Sequence, residues 1–197
     1  MTAVTFLGWL AALVLFLQLP IPLYWFVVHA SVSFRRRHPK AIYVIGLLVS
    51  WPPVTAALFW FHGQLFRAYQ PMALAAIAGL LLIVFEGWIF WRVHRDLGTA
   101  RLVGKTEISG RGEMADGGIY GYIRHPRYVG SFLAILGACL LAKTRTMWIV
   151  AAIWAALMLT AIFLEERELE ARFGDPYTRY CRRVPLFFPW RKRLRDR

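Results

Sequence analysis

The chain has 197 residues, 58% of them apolar and 18% charged, with 24 Lys and Arg against 11 Asp and Glu. Soluble domains run at about 45–50% apolar and about 25% charged. Here the charges are also gathered rather than spread: none falls from Ala3 to Phe34 or from Ala41 to Leu65, and only Glu86 lies between Gln70 and Trp91. Runs of this length match the roughly 20 apolar residues that cross a hydrocarbon core, which excludes a disordered chain, a disulfide scaffold and a soluble enzyme fold.

The pattern predicts an all-α integral membrane protein with about five transmembrane helices. Span one covers about Ala3 to Ser33, with Pro20 and Pro22 near its middle removing backbone donors and kinking or breaking the helix. Span two, about Ala41 to Phe61, carries Pro52-Pro53 and is expected to bend as well. Span three runs from about Pro71 to Trp91 and continues as a helix through Arg95. From Leu97 to Ile123 the chain turns polar and glycine-rich. Such a long loop in a compact protein is usually functional, and a short strand is expected near Arg101–Thr106.

Span four is short, about Pro126 to Ala142, with Pro126 in its first turn. Lys143–Thr146 makes the turn, and span five, about Met147 to Leu164, continues through Glu165–Phe173 before Gly174-Asp175-Pro176 ends it. The tail to Arg197 mixes aromatic and basic residues, a composition suited to packing at a membrane surface.

Lys and Arg alternate between rich and poor clusters along these spans. The positive-inside rule puts Arg35–Lys40, Arg92–Arg127 and the tail in the cytoplasm, 21 basic residues against 3 outside, with the N-terminus outside. The same placement points to anionic lipid headgroups rather than nucleic acid. The first charges follow the opening apolar stretch, so no cleavable signal peptide is expected there. Twenty arginines against four lysines favour a bacterial inner membrane over the endoplasmic reticulum. Cys139 and Cys181 fall in different environments, and no disulfide is expected. The chain has no HExxH, CxxC, Walker loop or GxSxG, so no metal is expected.

Two segments on the expected cytoplasmic face concentrate chemistry. In Gly121-Tyr122-Ile123-Arg124-His125-Pro126-Arg127-Tyr128-Val129-Gly130, Pro126 biases His125 away from helical geometry, which leaves Arg124 and His125 just outside a helix N-terminus. That is a place for an anion or a polar ligand, or simply a basic anchor before a proline cap. In Glu165-Glu166-Arg167-Glu168-Leu169-Glu170, adjacent carboxylates at the interface need cations, either arginines of the chain or a cationic ligand. Glu86, the only acid within a span, is either functional or paired with Arg92 or Arg95. His29 and His62 read as interfacial packing residues.

The segment Arg124-His125-Pro126-Arg127-Tyr128-Val129-Gly130 resembles the RHPxYxG signature of the isoprenylcysteine carboxyl methyltransferase family, part of a wider group of membrane methyltransferases that includes phospholipid methyltransferases. A second signature, EExxLxxxFGxxYxxYxxxVPxxxP, is matched by Glu165, Glu166, Leu169, Phe173, Gly174, Tyr177, Tyr180, Val184, Pro185 and Pro189. The resemblance covers about Leu97 to Pro189. It implies S-adenosylmethionine as methyl donor, bound in a cytosolic pocket made by the loop, helices 4–5 and the C-terminal helical tail (residues 93–197), and a lipophilic acceptor arriving from the bilayer past helices 1–3 (residues 1–92).

Tyr120, Gly121, His125, Tyr128 and Gly130 would line the donor site, and Glu165 and Glu166 would hold the donor's amino group. Arg124 and Arg183 occupy positions that resemble the family's acceptor-side arginines, and Glu166 is a carboxylate able to serve an acceptor that must lose a proton. The turn Asp116-Gly117-Gly118-Ile119-Tyr120 departs from the family's usual Thr-Ser-Gly-x-Tyr. Two other readings are weighed beside this one: a sterol-type membrane reductase using a nicotinamide cofactor, whose polyanionic ligand suits the paired glutamates poorly, and a non-enzymatic transporter or lipid-binding protein, which leaves both motifs unexplained.

Overall fold

Pro20 cannot donate a backbone hydrogen bond, and the first span breaks just before it. Helix α1 (Ala3–Gln18) ends in a turn at Leu19, and α2 (Pro20–Ala30) starts on the proline itself. The computed structural model describes residues 3–30, 32–66, 72–98 and 113–189, so the strand expected near Arg101–Thr106 and the basic end of the tail lie outside the described residues. After α2 come α3 (Val32–Arg37), α4 (Pro39–Trp60), α5 (His62–Leu65) and α6 (Ala73–Leu97). Pro52 and Pro53 are held inside α4, whose helix runs through them. A 3₁₀ turn at Gly118–Gly121 precedes α7 (Pro126–Ala142), α8 (Arg145–Phe173) and α9 (Asp175–Arg183).

Four stretches are long and apolar enough to cross a membrane: Phe6–His29, Pro39–Trp60, Ala73–Leu97 and Arg145–Phe173. The shorter apolar α7 stands beside them. The described residues contain helices and turns but no strand. This is the all-helical multi-pass architecture that the apolar runs imply.

Helices in lipid associate through close packing rather than through hydrophobic exclusion, so small residues mark the contacts. Helix α6 lies against α7 in this way: a Cβ added at Gly79 would sit 2.9 Å from the carbonyl oxygen of Gly137, and one added at Gly137 would sit 2.8 Å from that of Gly79. Helix α7 is buried along most of its length, with Ala134, Ile135, Ala138, Cys139 and Ala142 in a core shared with Ala11 and Leu15 of α1, Trp25 and Val28 of α2, and Trp154 and Met158 of α8. The N-terminal helices are therefore built into the same core as α7 and α8. Thr144 ties the far end together: its hydroxyl caps α8 by accepting from the Met147 N–H at 3.3 Å and donates to the Leu65 carbonyl at 3.0 Å.

At the other end α8 stops at Gly174, whose φ of 61° is a conformation glycine adopts without a side-chain clash. The chain then reverses into α9. The segment after α9 does not lie loose on a surface. Val184 and Pro185 are buried, and Phe187 packs beside His125 and Phe132.

Candidate functional site

Pro126 opens α7, and the residue before it, His125, takes φ −123° and ψ 57°, outside helical geometry. This frees the backbone N–H groups of Arg124 and His125, and both are met by the segment after α9. Arg124 N–H donates to the Pro185 carbonyl at 2.9 Å and His125 N–H to that of Leu186 at 3.2 Å. The Tyr180 hydroxyl donates to the Tyr120 carbonyl at 2.8 Å. The two sequence motifs are thus bonded to each other along their backbones.

The turn before the first motif is held from α6. An Asp96 carboxylate oxygen accepts the Ile119 N–H at 2.7 Å. Gly118 has φ 57°, and a Cβ there would fall 2.2 Å from that same oxygen, so this position requires glycine. The departure from the family's usual turn therefore concerns Asp116 and Gly117, while the glycine that the geometry demands is present.

Glu166 is the hub of the first cluster. One of its oxygens accepts from Arg124 Nη1 at 2.5 Å, and the other accepts from His125 Nε2 at 2.6 Å and from the Tyr177 hydroxyl at 2.6 Å. Burial, and then the Glu166 carboxylate beside it, push Tyr177 far above the usual phenol range, so it stays a neutral donor. Burial likewise keeps Tyr180 protonated.

Glu165 does something different. Successive residues on a helix point about 100° apart, and only Glu165 turns into the cleft that Tyr120, His125, Tyr128, Tyr177 and Tyr180 help to line. It accepts a hydrogen bond from the Tyr128 hydroxyl there. Leu169 and Arg172, one and two turns further along α8, line the same cleft, and Trp25 of α2 closes another side. Glu166 borders a second pocket, with Phe163, Arg167, Tyr177 and Cys181, and Arg124 reaches both pockets.

The structure thus brings Arg124, His125, Tyr128, Glu165, Glu166 and Tyr120 together. Other expected residues lie elsewhere. Gly130 faces α6, where an added Cβ would come within 3.4 Å of Glu86 and Ile89. Gly121 closes the 3₁₀ turn without lining the cleft, and Arg183 is exposed at the end of α9. Neither Arg92, which sits over the Trp88 ring, nor Arg95, which reaches Asp96, pairs with Glu86.

Sequence reasoning missed a second charged cluster. His29, read as an interfacial packing residue, places Nδ1 2.6 Å from Glu168 Oε2. Arg35 is 1% exposed and pairs with the same carboxylate through both terminal nitrogens, and it also donates to the Val28 carbonyl at 2.9 Å. The acid run of α8 thus divides its charges. Glu166 and Glu168 are satisfied by cations of the chain, and Glu165 is left to the cleft. An uncharged run that ends on His29 and Arg35 was the available signal, but the partner lies 133 residues away from Arg35.

Known proteins match parts of this chain. It is 32% identical over 124 residues to methanethiol S-methyltransferase 1 of Bradyrhizobium diazoefficiens, covering 57% of this chain and 42% of that protein. It is 37% identical over 84 residues to the nickel-cobalt-cadmium resistance protein NccN of Alcaligenes xylosoxydans xylosoxydans, covering 42% and 39%. It is 38% identical over 74 residues to the protein-S-isoprenylcysteine O-methyltransferase of Schizosaccharomyces pombe, covering 36% and 31%. The chain spans less than half the length of these relatives. No solved structure matches it. The pattern of the phospholipid methyltransferase family matches residues 74–176, from the start of α6 to the start of α9. That is more than half of the chain and includes the cleft's Tyr128 and Glu165 together with the Glu166 hub, and the chain belongs to the phospholipid methyltransferase family.

Proposed function

We propose that the chain transfers a methyl group from S-adenosylmethionine to a lipophilic acceptor at the cytoplasmic face of its membrane. The observation that carries this reading is the Glu165 carboxylate, bonded to the Tyr128 hydroxyl and turned, beside Glu113, into a cleft walled by aromatic rings. Rings and an anion together suit a ligand carrying ammonium and sulfonium charges. Arg172 lies two turns from Glu165 on the same helix and borders the same cleft, so a zwitterionic amino-acid end would find both signs of charge along one edge. The match to a methyltransferase family, rather than the charge of a cleft that Arg124, Arg127 and Arg172 also line, disfavours the reductase alternative.

The donor's sulfonium supplies an activated methyl carbon, so the residues here have alignment and water exclusion to provide. Glu165 would fix the amino end, with Tyr128 holding its carboxylate in place. Glu166 would act at one remove, fixing the Arg124 and His125 side chains that form the boundary between the two pockets. Acceptors of the relatives differ by name, a thiol in one and a prenylated cysteine in another. The acceptor side is therefore expected outside the matched residues, where α2 meets the cleft.

Glu165→Gln is expected to weaken S-adenosylmethionine binding ten- to a hundredfold, the effect of losing a charge-assisted hydrogen bond of about 1.5–3 kcal/mol. Its melting temperature should stay near that of the parent, because Tyr128 keeps an acceptor. An unchanged affinity by calorimetry would remove the basis for the donor site. The cytoplasmic placement rests on the 21-to-3 asymmetry of basic residues. Reporter fusions after Phe66 and after Arg197 are expected on opposite sides of the membrane; finding both on one side overturns it.

A further inference from the structure

Helix α2 lies outside the residues matched by the family pattern, yet it brings Trp25 to the cleft and His29 directly behind it, each with a buried nitrogen that meets no partner. The Trp25 ring lines the cleft, and the His29 ring stacks on it with centroids 5.5 Å apart. Trp25 Nε1 and His29 Nε2 are both buried and neither meets a hydrogen-bond partner. Such groups are costly to bury unless something completes them. The His29 side chain is only 4% exposed.

Its other nitrogen fixes its chemistry. A carboxylate accepts hydrogen bonds and does not donate them. Nδ1, 2.6 Å from Glu168 Oε2, is therefore the donor, and in the neutral ring the lone pair sits on Nε2. Arg35 grips the same carboxylate from its other side. The ring is oriented, its tautomer is set, and its basic atom is unused.

We propose that His29 is the base that takes a proton from the methyl acceptor, and that the acceptor is a thiol. This rests on the methyl-transfer reading above and deepens it. A carboxylate acceptor is ionised at neutral pH and has no proton to give. An ammonium would be drawn into a neighbourhood where Arg35 contacts the His29 partner Glu168 and Arg127 lies over the Trp25 ring at 5.8 Å, and these like charges disfavour it. A neutral thiol meets neither obstacle, and its apolar stem suits the indole surface.

In the step, a bond forms between the acceptor sulfur and the methyl carbon while the carbon–sulfonium bond breaks. The electron pair of that broken bond stays on the donor's sulfur, which becomes a neutral thioether. The thiol proton passes to His29 Nε2, where Glu168 offsets the new charge, and it returns to water after the product leaves. The charged groups facing His29 are Glu168 from α8 and Arg35 from α3, with Arg127 from α7 across the stacked Trp25 ring.

The test uses the full chain purified in detergent, radiolabelled S-adenosylmethionine, and two probes with the same octyl chain, 1-octanethiol and N-acetyl-S-octylcysteine, whose nucleophile is a carboxylate. The parent is expected to methylate the thiol. His29→Gln is expected to lower that rate by about 10²–10⁴-fold, the usual contribution of a positioned base, with donor affinity unchanged. The residual rate should climb with pH toward the thiol's own ionisation at about 8.5 or above instead of following the parent's profile. A His29→Gln protein that keeps the thiol rate within about threefold and the parent's pH profile overturns the proposal, and so does a parent that methylates only the carboxylate. If His29→Gln fails to fold, His29→Asn, which removes the ring and leaves the Arg35–Glu168 pair intact, takes its place: the same loss of thiol transfer and the same altered pH profile are expected, and an unchanged rate and profile overturns the proposal equally. A parent that binds no S-adenosylmethionine fails at the earlier step and sinks the methyl-transfer reading itself.

Discussion

Glu166→Ala is expected to unfold the protein roughly 6–20 °C earlier than the parent and to leave no measurable methyl transfer. One carboxylate serves Arg124, His125 and Tyr177 at 2.5–2.6 Å, and the Arg124 and His125 side chains are only 14% and 5% exposed. Removing one partner of a buried pair leaves an uncompensated charge, at about 3–5 kcal/mol. In a domain of this size each kcal/mol is worth roughly 2–4 °C. Glu166→Gln should fall between, because an amide oxygen still accepts from Tyr177 while its NH₂ opposes Arg124. The contrast with Glu165→Gln is the informative part: one neighbour should lose stability, the other donor affinity. Equal melting temperatures for Glu166→Ala and the parent would remove Glu166 from its place at the centre of the cluster.

Arg35→Ala is expected to produce a loss of similar size, about 3–5 kcal/mol, at a cluster that joins α2 and α3 to α8. Its side chain is among the largest that are fully buried, and it holds Glu168 and the end of α2 at once. Buried ion pairs are often replaceable as a pair even where each half is indispensable. The double variant Arg35→Met with Glu168→Leu should therefore recover much of the lost stability in thermal melting. A double variant no more stable than Arg35→Ala would show that the arginine contributes through contacts other than this pair.

Much of the bundle was readable because its signals are local. The charge-free runs, the break at Pro20, the opening of α7 at Pro126 and the stop at Gly174 each follow from a residue and its near neighbours. That Arg124, His125, Tyr128, Glu165 and Glu166 would meet was readable, since both motifs sit on helix ends that face each other, whereas Gly121 and Gly130 fall outside the cleft. Their division of labour was not. Nothing local to Glu165-Glu166-Arg167-Glu168 says that the first faces a cleft, the second faces Arg124 and the fourth faces Arg35, because each answer depends on a helix far away in the chain. For the same reason His29 and Trp25 carried no signal of their own: an apolar span records that it is buried but not which neighbour it is buried against. Gly130 illustrates the converse, a motif glycine whose observed surroundings are the close approach of α6 to α7.

The backbone bonds from Arg124 and His125 to Pro185 and Leu186 also bear on how the protein is made. The donors are synthesised 61 residues ahead of their acceptors, by the difference between positions 125 and 186. At about 5–20 residues per second, the nascent chain spends roughly 3–12 s with α7 already emerged and its entrance unsealed. For the first 41 residues of that interval, by the difference between positions 125 and 166, Glu166 has not been made, so the basic pair at the head of α7 has no carboxylate to meet. The cleft is therefore completed only after both hairpin helices have emerged, and the insertion machinery must hold an apolar hairpin whose charged rim is still waiting for the segment after α9.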